Sequence, residues 1–94
     1  MRKVSVIIPT YNRAHLIHLT INSFLNQSYP VQLYEIIVCD NNSTDSTKKT
    51  VHKIINGNPG RIKYLFEQRQ GVHYARNSAA KGATGDILYY TDDD

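Results

Sequence analysis

The stretch Val4-Ser5-Val6-Ile7-Ile8-Pro9 decides the fold. Ahead of the proline it is short, β-branched and almost wholly apolar. That is the signature of a strand buried on both faces, and Pro9 predicts its end. Strands of this kind belong to parallel sheets covered by helices, so a helix should follow. Arg13 to Asn26 supplies one: Leu16, Ile17, Thr20, Ile21, Phe24 and Leu25 repeat with the period of a single helix face. Tyr29-Pro30 closes it.

The alternation continues to the end of the chain. Tyr34 to Cys39 reads as a second buried strand. Asp40 to Asp45 is polar loop chemistry. Ser43 or Thr44 is placed to cap the next helix, with Asp45 near its positive end. Val51, Ile54 and Ile55 stripe that helix, and Gly57, Pro59 and Gly60 end it. Ile62 to Phe66 is a third strand whose partial alternation suits a place nearer an edge. Val72 to Ala83 is rich in small residues, and Ala75, Ala79 and Ala80 would let a helix pack closely on a sheet. Ile87 to Tyr90 is a fourth strand. The order β-α-β-α-β-α-β, with connections of this length, predicts right-handed crossovers and a mainly parallel sheet. The expected fold class is α/β, a Rossmann-like three-layer arrangement.

Composition narrows the function. The chain has 94 residues, 40% of them hydrophobic and 20% charged, which fits one small globular domain. A net charge of +3 with scattered basic residues does not point to nucleic acid. Cys39 is the single cysteine, which excludes an intrachain disulfide and suits a reducing, cytoplasmic setting. The run before Pro9 is too short for a signal peptide, and no apolar stretch reaches membrane-spanning length.

In open α/β sheets, ligands bind outside the carboxyl ends of the strands. The polar clusters lie at those ends: Pro9-Thr10-Tyr11-Asn12-Arg13, Asp40-Asn41-Asn42-Ser43, Glu67-Gln68-Arg69-Gln70-Gly71 and Thr91-Asp92-Asp93-Asp94. Polar loops are expected there in any case. Three aspartates abutting a buried strand are harder to explain as solvation alone. His15, His18, His52 and His73 show no mutual spacing that suggests a metal site.

The stretches VSVIIPTYNR, IIVCDNNSTDST and GVHYARNSAAKGATGDILYYTDDD together resemble the opening half of a family 2 glycosyltransferase of the GT-A fold. The resemblance covers essentially the whole chain. It implies transfer of a sugar from a nucleotide-diphosphate donor, with UDP as the default, to an acceptor, with inversion. It also implies a divalent cation, Mn²⁺ or Mg²⁺, since oxygen-rich carboxylate sites suit these ions and a departing diphosphate must be neutralised. Asp92 and Asp94 match the first and last positions of the family's DxD. Asp94 is the expected metal ligand, and Asp92 is expected at the ribose or the metal's water shell. Asp93 is assigned to the substrate with less to distinguish it.

Pro9, Thr10, Tyr11 and Asn12 look like the family's base-binding loop. Asp40 matches a nucleoside-recognising aspartate, with a local turn or cap as its other reading. The chain departs from the common pattern of two aspartates and a glycine here: it has Asp40-Asn41-Asn42, with Asn41 taken as substrate-binding. Arg76 matches a basic position facing the nucleotide, and Arg13 and Arg69 are weaker candidates of the same kind.

No residue of the chain is assigned as the catalytic base. The expectation is therefore a donor-binding half, truncated after the fourth strand, with the base lying beyond Asp94. The competing reading is a non-catalytic nucleotide-binding module. Two partner expectations accompany these. The longer protein could associate peripherally with a membrane. The fragment should self-associate through the exposed edge of its fourth strand.

Overall fold

The computed structural model describes residues 2–91. The chain runs β1 (Val4–Thr10), α1 (Ile17–Leu25), a short 3₁₀ turn (Val31–Leu33), β2 (Tyr34–Asp40), α2 (Thr47–Gly57), β3 (Ile62–Phe66), α3 (Val72–Gly82) and β4 (Ile87–Tyr90). The four strands form one parallel sheet in the order β3-β2-β1-β4. The two central strands are the two most continuously apolar stretches of the sequence. β1 is paired along its length with β2, from Val4 opposite Tyr34 to Thr10 opposite Asp40.

Helices cover both faces, as strands apolar on both sides require. On one face Val6, Ile8, Tyr34, Ile36, Val38 and Ile62 pack against Ile17 and Ile21 of α1 and Val51 of α2. On the other, Ile7, Ile37 and Cys39 pack against Ala75 and Ala79 of α3. Alanines on α3 leave no side-chain bulk in the way, so a single helix approaches the sheet closely. Each core isoleucine removed from water contributes about 1.5–3 kcal/mol before entropy is counted. The chain thus has the expected α/β fold, three layers around a parallel sheet.

Four local expectations change. β1 continues through Pro9 to Thr10. Pro9 shares the orientation of Ile7, whose carbonyl accepts from the Thr91 N–H, so its missing N–H faces the β4 side and leaves the β2 ladder intact. α1 begins at Ile17, not Arg13, because Arg13 to Leu16 form a separate turn in which the Arg13 carbonyl receives the N–H groups of Leu16 and Ile17. α2 begins at Thr47, and neither Ser43 nor Thr44 caps it. The Asp45 carboxylate instead accepts the Thr47 N–H at 2.9 Å. The turn before β2 has no counterpart in the sequence reading, which saw only Tyr29-Pro30 as an end.

Candidate functional site

The carboxyl ends of β1 and β2 open onto a recess of about 310 Å³ lined by Pro9, Thr10, Tyr11, Arg13, Asn41, Gln70, Gly71 and Val72. Three connections build it: the loops after β1, β2 and β3. A more apolar recess of about 350 Å³, bounded by Val4, Val6, Phe24, Tyr29, Tyr34 and Tyr89, lies towards the other end of β1. It carries few polar groups, and the carboxyl edge is where an open parallel sheet receives a ligand.

The loop after β1 is tied to the loop after β2 by Asn12. Its backbone is left-handed, with φ 51°, a conformation asparagine tolerates better than most residues. Its N–H donates to Ser43 Oγ at 2.8 Å, and its Oδ1 accepts the Thr44 N–H at 2.7 Å. The Arg13 N–H donates to Thr47 Oγ1 at 3.1 Å, and the Ala14 N–H donates to Asp45 Oδ2 at 3.2 Å. Asn12 therefore spends its side chain on the neighbouring loop. Tyr11, 45% exposed, is left projecting at the recess.

Asp40 and Asn41 are both buried, and strand alternation sends them to opposite faces. Asp40 turns to the α2 face. Its Oδ1 accepts the Ser43 N–H at 2.9 Å and its Oδ2 accepts the Tyr64 hydroxyl at 2.7 Å. Burial and that bond to a carboxylate push the Tyr64 phenol well above its ordinary pKa. Asn41 turns to the α3 face. Its Nδ2 donates to the carbonyls of Glu67 at 3.2 Å and Arg69 at 2.6 Å, and its Oδ1 accepts the Gly71 N–H at 2.9 Å. Asn42, where the commoner family pattern has glycine, is left-handed with φ 67°. Glycine and asparagine are the two residues best suited to that backbone, which accounts for the exchange.

The loop after β3 is tied within itself and to α3. Glu67 receives the Arg69 N–H at 2.9 Å and both arms of the Arg69 guanidinium at 3.1 Å, and the Ser78 hydroxyl besides. The Arg69 bonds chiefly, and then Ser78, hold the Glu67 carboxyl at about 2. The Arg69 guanidinium lies over the Tyr74 ring, 4.6 Å from its centre. Gly71, with φ 137°, opens α3 in a conformation other residues avoid. Gln70 Nε2 returns to the Asn41 carbonyl at 2.7 Å. Gln70 and Gly71 belong to the polar cluster that the sequence places at the end of the third strand, but neither they nor Val72 is assigned a site role there. A glycine between a strand end and a helix start was the available signal.

Arg76 lies on α3 with its guanidinium 5.8 Å from the centre of the Tyr90 ring, away from the recess lining. Asp92, Asp93 and Asp94 lie outside the described residues. Thr91, just before them, is anchored by its N–H to the Ile7 carbonyl at 3.0 Å. Among the described residues no group of three histidine, cysteine or acidic side chains is placed to hold a metal. None of the described helices is long and apolar enough to cross a membrane.

Comparison with known proteins matches this architecture. The model of Glycosyl transferase family 2 matches residues 5–94. The chain is 40% identical to a GalNAc(5)-diNAcBac-PP-undecaprenol beta-1,3-glucosyltransferase of Campylobacter jejuni, covering 100% of this chain and 30% of that protein. It is 36% identical to the glycosyltransferase AglE of Haloferax volcanii, over 97% of this chain and 30% of the relative. Among solved structures, the mannosyltransferase PcManGT of Pyrobaculum calidifontis, in complex with GDP-Man and Mn²⁺, superposes with a TM-score of 0.94 at 37% identity, over 99% of this chain and 28% of that one. TarS 1-349 of S. aureus, in complex with UDP, gives a TM-score of 0.88 at 35% identity, over 98% of this chain and 27% of that one. The chain thus spans about 30% of the length of these curated relatives. With a parallel α/β sheet of this order and a family match along nearly its whole length, the chain belongs to Glycosyl transferase family 2.

Proposed function

We propose that the recess at the carboxyl ends of β1 and β2 receives the nucleoside diphosphate of a sugar donor, and that the protein transfers the sugar to an acceptor with inversion. The observation that carries this reading is the recess itself, polar and lined by Thr10, Tyr11, Arg13, Asn41 and Gln70, in a chain of this family. Tyr11 offers a ring face to a base, and Arg13 offers a cation to phosphate. Pro9 and Thr10 form the floor where β1 ends. Asn12 and Asp40 hold the loops in place around it. Arg76 is assigned to the far side of the donor. Relatives in complex with UDP and with GDP-Man leave both bases as candidates, and UDP is taken first.

Asp92 and Asp94 are assigned to a divalent cation, Mn²⁺ or Mg²⁺, with Asp93 beside the substrate. Carboxylate oxygens are the donor set these ions prefer. When bound, the ion would neutralise charge on the leaving diphosphate. Thr91, the residue before them in the sequence, is fixed to β1.

Among the described residues, the acidic groups in the loops around the recess do not suit the role of base. Asp40, Asp45 and Glu67 each have both carboxylate oxygens engaged in hydrogen bonds. The 94-residue chain is accordingly read as binding donor without turnover by itself. A non-catalytic nucleotide-binding module is the second reading, and the same engaged carboxylates favour it for the chain in isolation.

Calorimetry with UDP and GDP, with and without Mn²⁺, tests the proposal, with Asp94→Asn as control. The expected result is weak binding that tightens with Mn²⁺ in the wild type and does not tighten in the variant. Equal affinity with and without the metal would remove the assignment of the terminal aspartates.

A further inference from the structure

Asn41 is 6% exposed, and both donors of its amide and its Oδ1 bond to one loop. The orientation of that amide is dictated by its partners. Two carbonyls, of Glu67 and Arg69, need donors, and one N–H, of Gly71, needs an acceptor. A carboxylate of the same shape has acceptors only and would face those two carbonyls without a proton to offer. Gln70 completes the strap from the other direction, donating to the carbonyls of Asn41 at 2.7 Å and Asn42 at 3.5 Å. The residues so held, Gln70, Gly71 and Val72, are one wall of the recess. Gly71 is in a backbone conformation that glycine adopts and most other residues avoid, with φ 137°.

We propose that Asn41 is a positioning residue: it fixes the wall after β3 before a nucleotide arrives, and does not itself read the base. The inference rests on the nucleotide reading of the recess. A loop ordered during folding does not have to be ordered again by the ligand, so its bonds appear as affinity for every nucleotide alike. With both donors and one acceptor position of its amide taken by the protein, the side chain has little left with which to prefer one base. Discrimination then falls to other groups that line the recess, the exposed Tyr11 first among them.

The test is Asn41→Asp, which keeps the shape and removes both donors. Wild type and variant are titrated with UDP, GDP, CDP and ADP in the presence of Mg²⁺. Amide hydrogen exchange is followed in both without ligand. The expected result is a loss of about tenfold in affinity for every nucleotide, with their order of preference unchanged. Exchange at residues 69–71 should quicken while that of β1 stays at the wild-type rate. Gly71→Ala leaves Asn41 intact but places a methyl group 3.0 Å from the His73 ring, and it should give the same uniform loss. It also serves if Asn41→Asp fails to fold. A changed order of base preference with unaltered exchange at residues 69–71 would overturn the proposal, since Asn41 would then touch the base. Unaltered affinity in both variants would overturn it as well. If wild type binds none of the four nucleotides while exchange quickens in Asn41→Asp, the nucleotide reading fails and Asn41 is a loop fastening alone.

Discussion

Adjacent polar residues at the end of β2 do different work because the strand turns them to different faces. Asp40 is closed off by the Ser43 N–H and the Tyr64 hydroxyl, and Asn41 by the loop after β3. Tyr64→Phe is the cleanest probe of the first arrangement. It removes one hydroxyl and leaves Asp40 Oδ2, in a residue only 1% exposed, without that partner. The expected loss is about 1–3 kcal/mol in denaturant unfolding, since an unsatisfied buried acceptor costs its desolvation. An unchanged midpoint would mean that water replaces the phenol at no cost. The same contacts explain what the sequence could not show. Asp40 was legible as either a nucleoside ligand or a turn residue, and only the placement of Tyr64, 24 positions later in the chain, supplies its second partner. Asn12 matched a substrate loop by its position, yet its bonds to Ser43 and Thr44 depend on two loops meeting.

Among the elements, β1 to β3, α1 and α2 follow from apolar patterning, because each buries a face against the sheet or its cover, whereas α3 follows from its small residues and β4 is a short apolar run that stays exposed. The boundaries follow less well, since contacts between loops set them. Apolar periodicity starts α1 at Arg13, but the Arg13 N–H donates to Thr47 and the helix begins later. A second fastening lies at the amino edge of the sheet, away from the recess. Glu35 accepts the Ser5 hydroxyl at 2.6 Å and the Thr84 N–H at 2.7 Å, and it pairs with Lys63 at 3.0 Å. This holds the connection from α3 to β4 in place. Burial alone would raise the Glu35 pKa, but the bonds from Ser5, Thr84 and Lys63 outweigh it and hold the group at about 2. A carboxyl depressed in the folded state stabilises the fold above its ordinary value of 4.5, and that contribution is lost as pH falls towards 2. The loss is on the order of 2–3 kcal/mol. Urea midpoints between about pH 6 and pH 2.5 should therefore fall more steeply for wild type than for Glu35→Gln. Parallel curves would show that Glu35 carries no special share of the acid sensitivity.

The whole molecule is a sheet with polar chemistry on its carboxyl edge and an open strand at one side. Among the described residues β4 pairs only with β1, and Ile87, Leu88, Tyr89 and Tyr90 are all exposed, at 37–52%. Unpaired backbone beside apolar side chains invites strand pairing with a second copy. The 94-residue chain is expected to self-associate at high concentration, and Leu88→Lys is expected to reduce this; light scattering that reports a clean monomer for wild type would count against it. The central claim concerns the other edge. Amide chemical shifts recorded while the chain is titrated with UDP and with GDP, each in the presence of Mg²⁺, test it most directly. The largest changes are expected at Thr10 to Arg13 and at Gln70 to Val72, with little change at Phe24, Tyr29 or Tyr89. Shifts centred instead on that apolar recess, or none anywhere for either nucleotide, would contradict it.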